Sequence, residues 1–168
     1  MSSAHPFTDI VFMLRATPLG DVLLAARGSK LVGVWFDDQQ HRPHTATWQE
    51  VDDHPVLHEA HLQLLAYLHG QRQRFDLPLA FASATPFQQR VWQCLQTIPY
   101  GQTTHYGHIA EQVGSPKAVR AVGAAIGRNP LSMVIPCHRV LGANGALTGY
   151  AGGLARKQTL LALEAAPT

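Results

Sequence analysis

Two cysteines in 168 residues are too few to staple a fold with disulfides. Charge is scarce as well, at 14% of residues, while 46% are hydrophobic, so the chain can bury a core and lacks the composition of a disordered tail. No apolar run approaches the roughly 20 residues a membrane helix needs. The opening MSSAHPFTDI has neither the basic flank nor the apolar stretch of a secretory leader. No internal repeat or low-complexity segment is present. These absences exclude disulfide-rich secreted domains, collagen-like chains and membrane proteins. A soluble, cytoplasmic protein of a reducing compartment is expected, with no membrane partner.

Acidic residues are missing from one half. Residues 1–84 hold six Lys/Arg against nine Asp/Glu, net −3, whereas residues 85–168 hold seven Lys/Arg against two Asp/Glu, net +5. Such asymmetry suits a C-terminal half that faces a polyanion, although short segments also differ by a few charges without function. Ten histidines are present, seven of them before residue 70. His54, His58 and His61 are spaced to share a helix face, yet no nearby cysteine completes a zinc set, and a solvated surface with no metal is expected.

The pattern predicts an α+β protein of two lobes, divided after residue 84. In the first, DIVFML, DVLLAA and LVGVWF read as three antiparallel strands joined by tight turns at Gly20 and Gly28. Residues 37–54 read as irregular. Pro55 opens a helix with apolar Val56, Leu57, Leu64, Leu65 and Leu68, and Gly70 stops it. RFDLPLAF reads as a short extended piece. Nothing in this lobe resembles a catalytic constellation, so it is expected to serve as a support.

The second lobe is expected to be mostly helical. Thr85-Pro86-Phe87-Gln88 offers an N-cap, a proline at the first helical position and a capping-box glutamine. Phe87, Val91, Trp92, Leu95 and Ile98 mark that helix's buried face. A second helix is expected over about 106–113. A third starts at Ser115-Pro116, after the Gly114 turn, and reaches Ile126, giving a helix-turn-helix. A last helix spans about 154–163. On the third helix Val119, Val122 and Ile126 are spaced to face the core. Lys117, Arg120, Ala121, Ala124 and Arg128 fall on another face, where small residues would let a nucleic-acid backbone approach and cations would reach phosphates. Many such αα-turns never touch DNA, so this face alone leaves the partner open.

Chemistry concentrates at Cys137. The run Ile135-Pro136-Cys137-His138-Arg139-Val140 sets a thiol beside an imidazole. A free thiol is mostly protonated at neutral pH, so a nucleophile needs a base or a positive field. His138 could be that base, directly or through a water, and Arg139 adds positive charge. A histidine in this role needs an acceptor to fix its tautomer. Glu164, at the unfavourable end of the last helix, is a candidate. Read on residues alone, Cys137 stands open between a reactive thiol and an inert buried one, with neighbours on a strand pointing to opposite faces. Cys94, between Trp92 and Leu95, reads as packing.

The run from Asn129 to Val140 resembles the active-site signature of the O6-alkylguanine-DNA alkyltransferases, the methylated-DNA–protein-cysteine methyltransferases. TPFQQRVW, IPYGQTTHYG, SPKAVRAVGAA and TGYAGGLARK extend the similarity from Thr85 to Glu164, and ATPLGDVLLAA extends it more loosely into the first lobe. The resemblance implies that Cys137 accepts an alkyl group from guanine O6 once, irreversibly and stoichiometrically. It implies that His138 deprotonates the thiol through a water, with Glu164 orienting the ring, and that Tyr106 stabilises the departing guanine at N3. Arg120 would fill the gap left by an extruded nucleotide. Ser115, Lys117, Ala121 and Ala124 would complete the DNA face. Asn129 would hold the turn before the active-site strand, the carbonyls of Cys137 and Val140 would read the guanine amino group, and Tyr150, Ser132 and Ala151 would border the pocket. No cofactor is implied. The implied partner of a monomer is duplex DNA carrying O6-alkylguanine, with O4-alkylthymine as a second candidate lesion.

Two rival classes remain: a non-catalytic binder of alkylated DNA, whose members lack the acceptor cysteine, and a cysteine hydrolase using Cys137 and His138. Ser132 and Ala151 stand where some relatives, vertebrate ones included, carry proline and serine. A pocket less suited to benzyl than to methyl adducts is therefore expected. Single-turnover rates on the two adducts check this, and comparable rates would contradict it.

Overall fold

The structure, a computed structural model, describes residues 9–166. The chain divides into two compact units, Met1–Ser83 and Ala84–Thr168.

In the first unit β1 (Ile10–Arg15), β2 (Val22–Arg27) and β3 (Lys30–Phe36) form an antiparallel meander. The turns between them are tight because Gly20 and Gly28 take positive φ, 118° and 57°, which glycine adopts without a Cβ clash. A bulge between Ala25 and Ala26 shifts the β2–β3 register. The stretch expected to be irregular supplies a fourth strand, β4 (Gln49–Glu50), which pairs parallel with β1. The sheet is thus mixed, in the order β3-β2-β1-β4, rather than purely antiparallel. Leu79 bridges to Leu31, so the predicted extended piece adds to the β3 edge.

Helix α1 (Pro55–Leu68) buries Val56, Leu57, Ala60, Leu64 and Tyr67. Leu65 and Leu68, expected on that face, are only half-buried. Ile10, Phe12, Leu23, Ala25, Val32 and Trp35 make one core cluster of this unit, against which Trp48 packs. The three histidines spaced for a shared face turn to separate partners instead. His54 Nε2 lies 3.0 Å from Gly28 O, His58 Nε2 2.9 Å from an Asp53 oxygen, and His61 Nε2 3.0 Å from Ala16 O.

The second unit begins with α2 (Pro86–Leu95), and the Thr85/Gln88 capping box forms in both directions. Val91, Trp92 and Leu95 are buried, and the Trp92 indole N–H donates to Ala125 O at 2.8 Å, tying α2 to a later helix. A two-residue strand β5 (Thr104–His105) leads into α3 (Tyr106–Gln112). The next helix, α4, spans Val119–Gly127. It starts four residues later than the sequence suggested. Ser115–Ala118 is a turn closed by Ala118 N–H to Ser115 O at 2.9 Å, so the Ser-Pro pair opens a turn instead of a helix. Val119, expected in the core, is 41% exposed at the first helical position, and Ala125 takes its place beside Val122 and Ile126. The chain closes with β6 (Val140–Leu141), parallel to β5, and α5 (Leu154–Ala165). Among the described residues no helix is long and apolar enough to cross a membrane.

Candidate active site

Everything from Asn129 to Val140 is folded around one buried turn. Asn129 is 3% exposed, and its side chain staples both ends of a loop. Its Nδ2 donates to Ile135 O at 2.9 Å and its Oδ1 accepts from Leu131 N at 3.0 Å. Within that loop Met133 holds φ of 69°, an uncommon backbone for a residue with a side chain. Pro136, at φ −80° and ψ 64°, sits at the centre of an inverse γ-turn closed by Cys137 N–H to Ile135 O at 2.8 Å. The proline ring restricts φ near the angle this turn requires.

Cys137–Arg139 is a single 3-10 turn, not the strand expected. With three residues per turn, its side chains leave in three directions about 120° apart. That separates their tasks. The Cys137 thiol and the His138 ring are both buried, at 6% and 0% exposure. His138 Nε2 lies 2.8 Å from Glu164 Oε2. Arg139 grips the same carboxylate, with Nε to Oε1 at 2.7 Å and Nη2 to Oε2 at 2.9 Å, while Nη1 donates to Ile98 O at 2.7 Å. Gly101 N–H reaches Glu164 Oε1 at 3.3 Å. A carboxylate receiving this many N–H donors is ionised, so it can only accept. The His138 proton therefore sits on Nε2, and Nδ1 carries the basic lone pair.

Electrostatics follow from this packing. Burial pushes the Cys137 thiol above its ordinary value, opposed by a hydrogen bond from the Asn129 side chain and by the Lys157 charge. Burial holds His138 below its ordinary 6.5, against the pull of the Glu164 hydrogen bond and charge, and Arg139 and Lys157 push it the same way as burial. The ring is therefore neutral at pH 7, as a base must be. Cys94 is raised by burial alone.

Two residues of this site have roles that the sequence does not signal. Arg139, expected as positive charge near the thiol, commits its guanidinium to Glu164. Lys157 is fully buried, and its ammonium donates to Val140 O at 2.7 Å, Thr148 O at 2.6 Å and Gly149 O at 3.4 Å. Only its spacing after Gly152-Gly153, on the inward face of α5, could have signalled it.

The remaining candidates lie around this turn. The β5–β6 ladder pairs Thr104 with the fully buried Val140 and His105 with Leu141, and Tyr106 follows at the first position of α3. The Tyr106 ring packs over Gly123 of α4, where an added Cβ would sit 3.9 Å from it. Arg120, Ala121 and Ala124 are exposed on α4 and Arg128 at its C-cap, whereas Lys117, expected on the helix, is exposed in the preceding turn with the half-buried Ser115, because α4 starts only at Val119. Ser132 is buried in the Asn129 loop, and Ala151 is half-buried beside Tyr150. The Tyr150 hydroxyl is buried without a hydrogen-bond partner, and burial, then the nearby Cys137, raise it well above its ordinary value. Among the described residues no group of three or more His, Cys, Asp or Glu could hold a metal.

Comparisons with known proteins converge. The family model for the 6-O-methylguanine DNA methyltransferase DNA binding domain matches residues 86–166, and that for the ribonuclease-like domain of the same family matches residues 10–81. A methylated-DNA–protein-cysteine methyltransferase of Mycobacterium leprae is 50% identical over 148 residues, 88% of each chain. The constitutive one of Bacillus subtilis is 47% identical over 138 residues, 81% of this chain and 83% of its own. The crystal structure of Mycobacterium tuberculosis OGT in complex with DNA superposes with a TM-score of 0.83 at 46% identity, covering 92% of both chains.

The depressed His138 fixes the sign of a pH effect. The folded state holds fewer protons than the unfolded one near pH 6, so the contribution of this site is present above 6.5 and is lost as pH falls through the folded value. Stability should fall on acidification with a component of up to about 1.4 kcal/mol per pH unit that His138→Gln removes. Urea denaturation at several pH values measures it, and identical slopes for the two proteins would contradict the assignment.

Proposed function

Since the chain belongs to the 6-O-methylguanine DNA methyltransferase family, we propose that it repairs O6-alkylguanine in duplex DNA by moving the alkyl group onto its own Cys137. The observation that carries this reading is a buried thiol on the same 3-10 turn as an imidazole whose tautomer is set by an ionised carboxylate.

A stacked base cannot bring its O6 substituent to a buried sulfur, so the nucleotide must leave the duplex. The exposed α4 face suits this. Ala121 and Ala124 let the backbone approach closely, Lys117 and Arg128 reach phosphates, and Arg120 takes the space vacated in the stack. Unstacking costs a few kcal/mol, which these contacts offset. Tyr106, whose ring lies against Gly123 of α4 and which follows the β5 strand paired with β6, is the residue whose hydroxyl serves the guanine N3. The carbonyls of Cys137 and Val140 accept from the guanine amino group, and Ser132, Tyr150 and Ala151 close the pocket.

In the reaction His138 takes the thiol proton through Nδ1, by way of a water. The thiolate then attacks the alkyl carbon in line with guanine O6. The C–S bond forms as the C–O bond breaks, and its electron pair passes to the guanine oxygen and ring. The proton removed from the thiol balances the one guanine must regain. A thioether has no route back, so each molecule reacts once. The protein works as a cytoplasmic monomer without a cofactor, and O4-alkylthymine, with the same alkyl–oxygen bond, is a second substrate.

Intact-protein and peptide mass spectrometry after incubation with an O6-methylguanine duplex tests this. One methylene should appear on Cys137, in one-to-one proportion with repaired base, and none in Cys137→Ala. A damage binder would shift the duplex in a gel and gain no mass. A hydrolase would release product over many turnovers, also without mass gain. Either result would overturn the reading.

A further inference from the structure

We propose that Lys157 is the resident counter-ion of the Cys137 thiolate and the strut that fixes the pocket wall, a positioning residue for alkyl transfer. This deepens the transferase reading and rests on it for its meaning in repair.

Its three acceptors are all backbone carbonyls, those of Val140, Thr148 and Gly149. A neutral amine has two N–H bonds, whereas an ammonium has three and no lone pair, so this cradle is built for the charged form. Fully buried cations ordinarily have an anionic partner. Among the described residues Lys157 has no carboxylate in ion-pair range. The second unit holds only two acidic residues, Glu111, which is exposed, and Glu164, which is taken by Arg139 and His138.

The charged and titratable groups around the sulfur complete the account. Arg139 and Glu164 cancel. His138 is neutral, and so is the Tyr150 phenol, with Arg156 acting on it from α5. With the thiol protonated, the buried cluster therefore carries one positive charge too many. With the thiolate formed, it is balanced. Lys157 and Cys137 act on each other accordingly: burial lowers the ammonium and the sulfur raises it, while the ammonium opposes the rise that burial imposes on the thiol.

The same side chain has a mechanical task. Val140 follows the Cys137 turn, whereas Thr148 and Gly149 belong to the segment that leads into Tyr150. Lys157 bonds both and so clamps the pocket segment to the reactive turn. One of its acceptors is the Val140 carbonyl, which the transferase reading assigns to the guanine amino group.

Labelling with iodoacetamide across a pH series, followed by peptide mass spectrometry, reads both thiols of the full chain without any DNA. Cys94 is the internal reference. In Lys157→Met the midpoint for Cys137 labelling should rise by about one pH unit, about tenfold slower labelling at neutral pH, with Cys94 unchanged. Lys157→Gln keeps a donor without the charge and should show the same rise, which decides the matter if Lys157→Met does not fold. Lys157→Arg should recover most of the rate. A wild-type profile in the Met or Gln variant, an Arg variant as slow as Met, or equal changes at Cys94 and Cys137 would overturn the proposal. A wild-type protein that labels as described and yet repairs no lesion would sink the transferase reading alone.

Discussion

One carboxylate, Glu164, is buried among N–H donors from two separate parts of the chain, and the geometry of the second unit depends on it. Arg139 binds it through two nitrogens, His138 through one, and the Gly101 amide adds a fourth contact. Removing either charge would leave the other desolvated, a situation that costs several kcal/mol. The carboxylate also sits in the last turn of α5, where the helix dipole disfavours it. The guanidinium compensates for that position. The arrangement thus persists through mutual need, and its by-product is an imidazole with one defined tautomer.

The surrounding structure brings distant segments to that point by ordinary local devices. A capping box starts α2, and the Trp92 indole ties α2 to α4. A two-pair ladder ties the strand before α3 to the strand after the reactive turn. Asn129 and the Pro136 γ-turn then aim the sulfur. Each device costs little alone, and together they leave the thiol no other place to sit. The surface helix that would meet DNA and the turn that would do chemistry are thereby joined through Tyr106 and Gly123.

Much of this was legible in the sequence where a signal is local. Turn glycines 20 and 28 bounded the strands, and Thr85-Pro86 with Gln88 announced α2 to the residue. Glu164 could be paired with His138 because a carboxylate at a helix C-terminus asks for a partner. The errors share a cause. Ser115-Pro116 looks like a helix start, yet Gly114 with its positive φ and the Ser115–Ala118 turn delay α4 to Val119. The helical period then put Val119 inside although it precedes the first packed turn. β4, β5 and β6 are two residues each and carry no periodic signal, so only their pairing defines them. The resemblance implied a strand at the reactive segment, while its 3-10 shape comes from the Pro136 γ-turn and the Arg139 N–H bond to Pro136 O, on a loop that Asn129 holds. Lys157 was invisible for the same reason, since its three carbonyl partners lie 8 to 17 residues away.

The central claim is that His138 is a neutral base, protonated on Nε2 by its bond to Glu164. Nitrogen-15 NMR of histidine-labelled protein, with His138 assigned from a His138→Gln spectrum, reads this directly. The account predicts a neutral ring at neutral pH with the proton on Nε2 and a lone pair on Nδ1. A doubly protonated imidazolium at that pH, or the opposite tautomer, would contradict it.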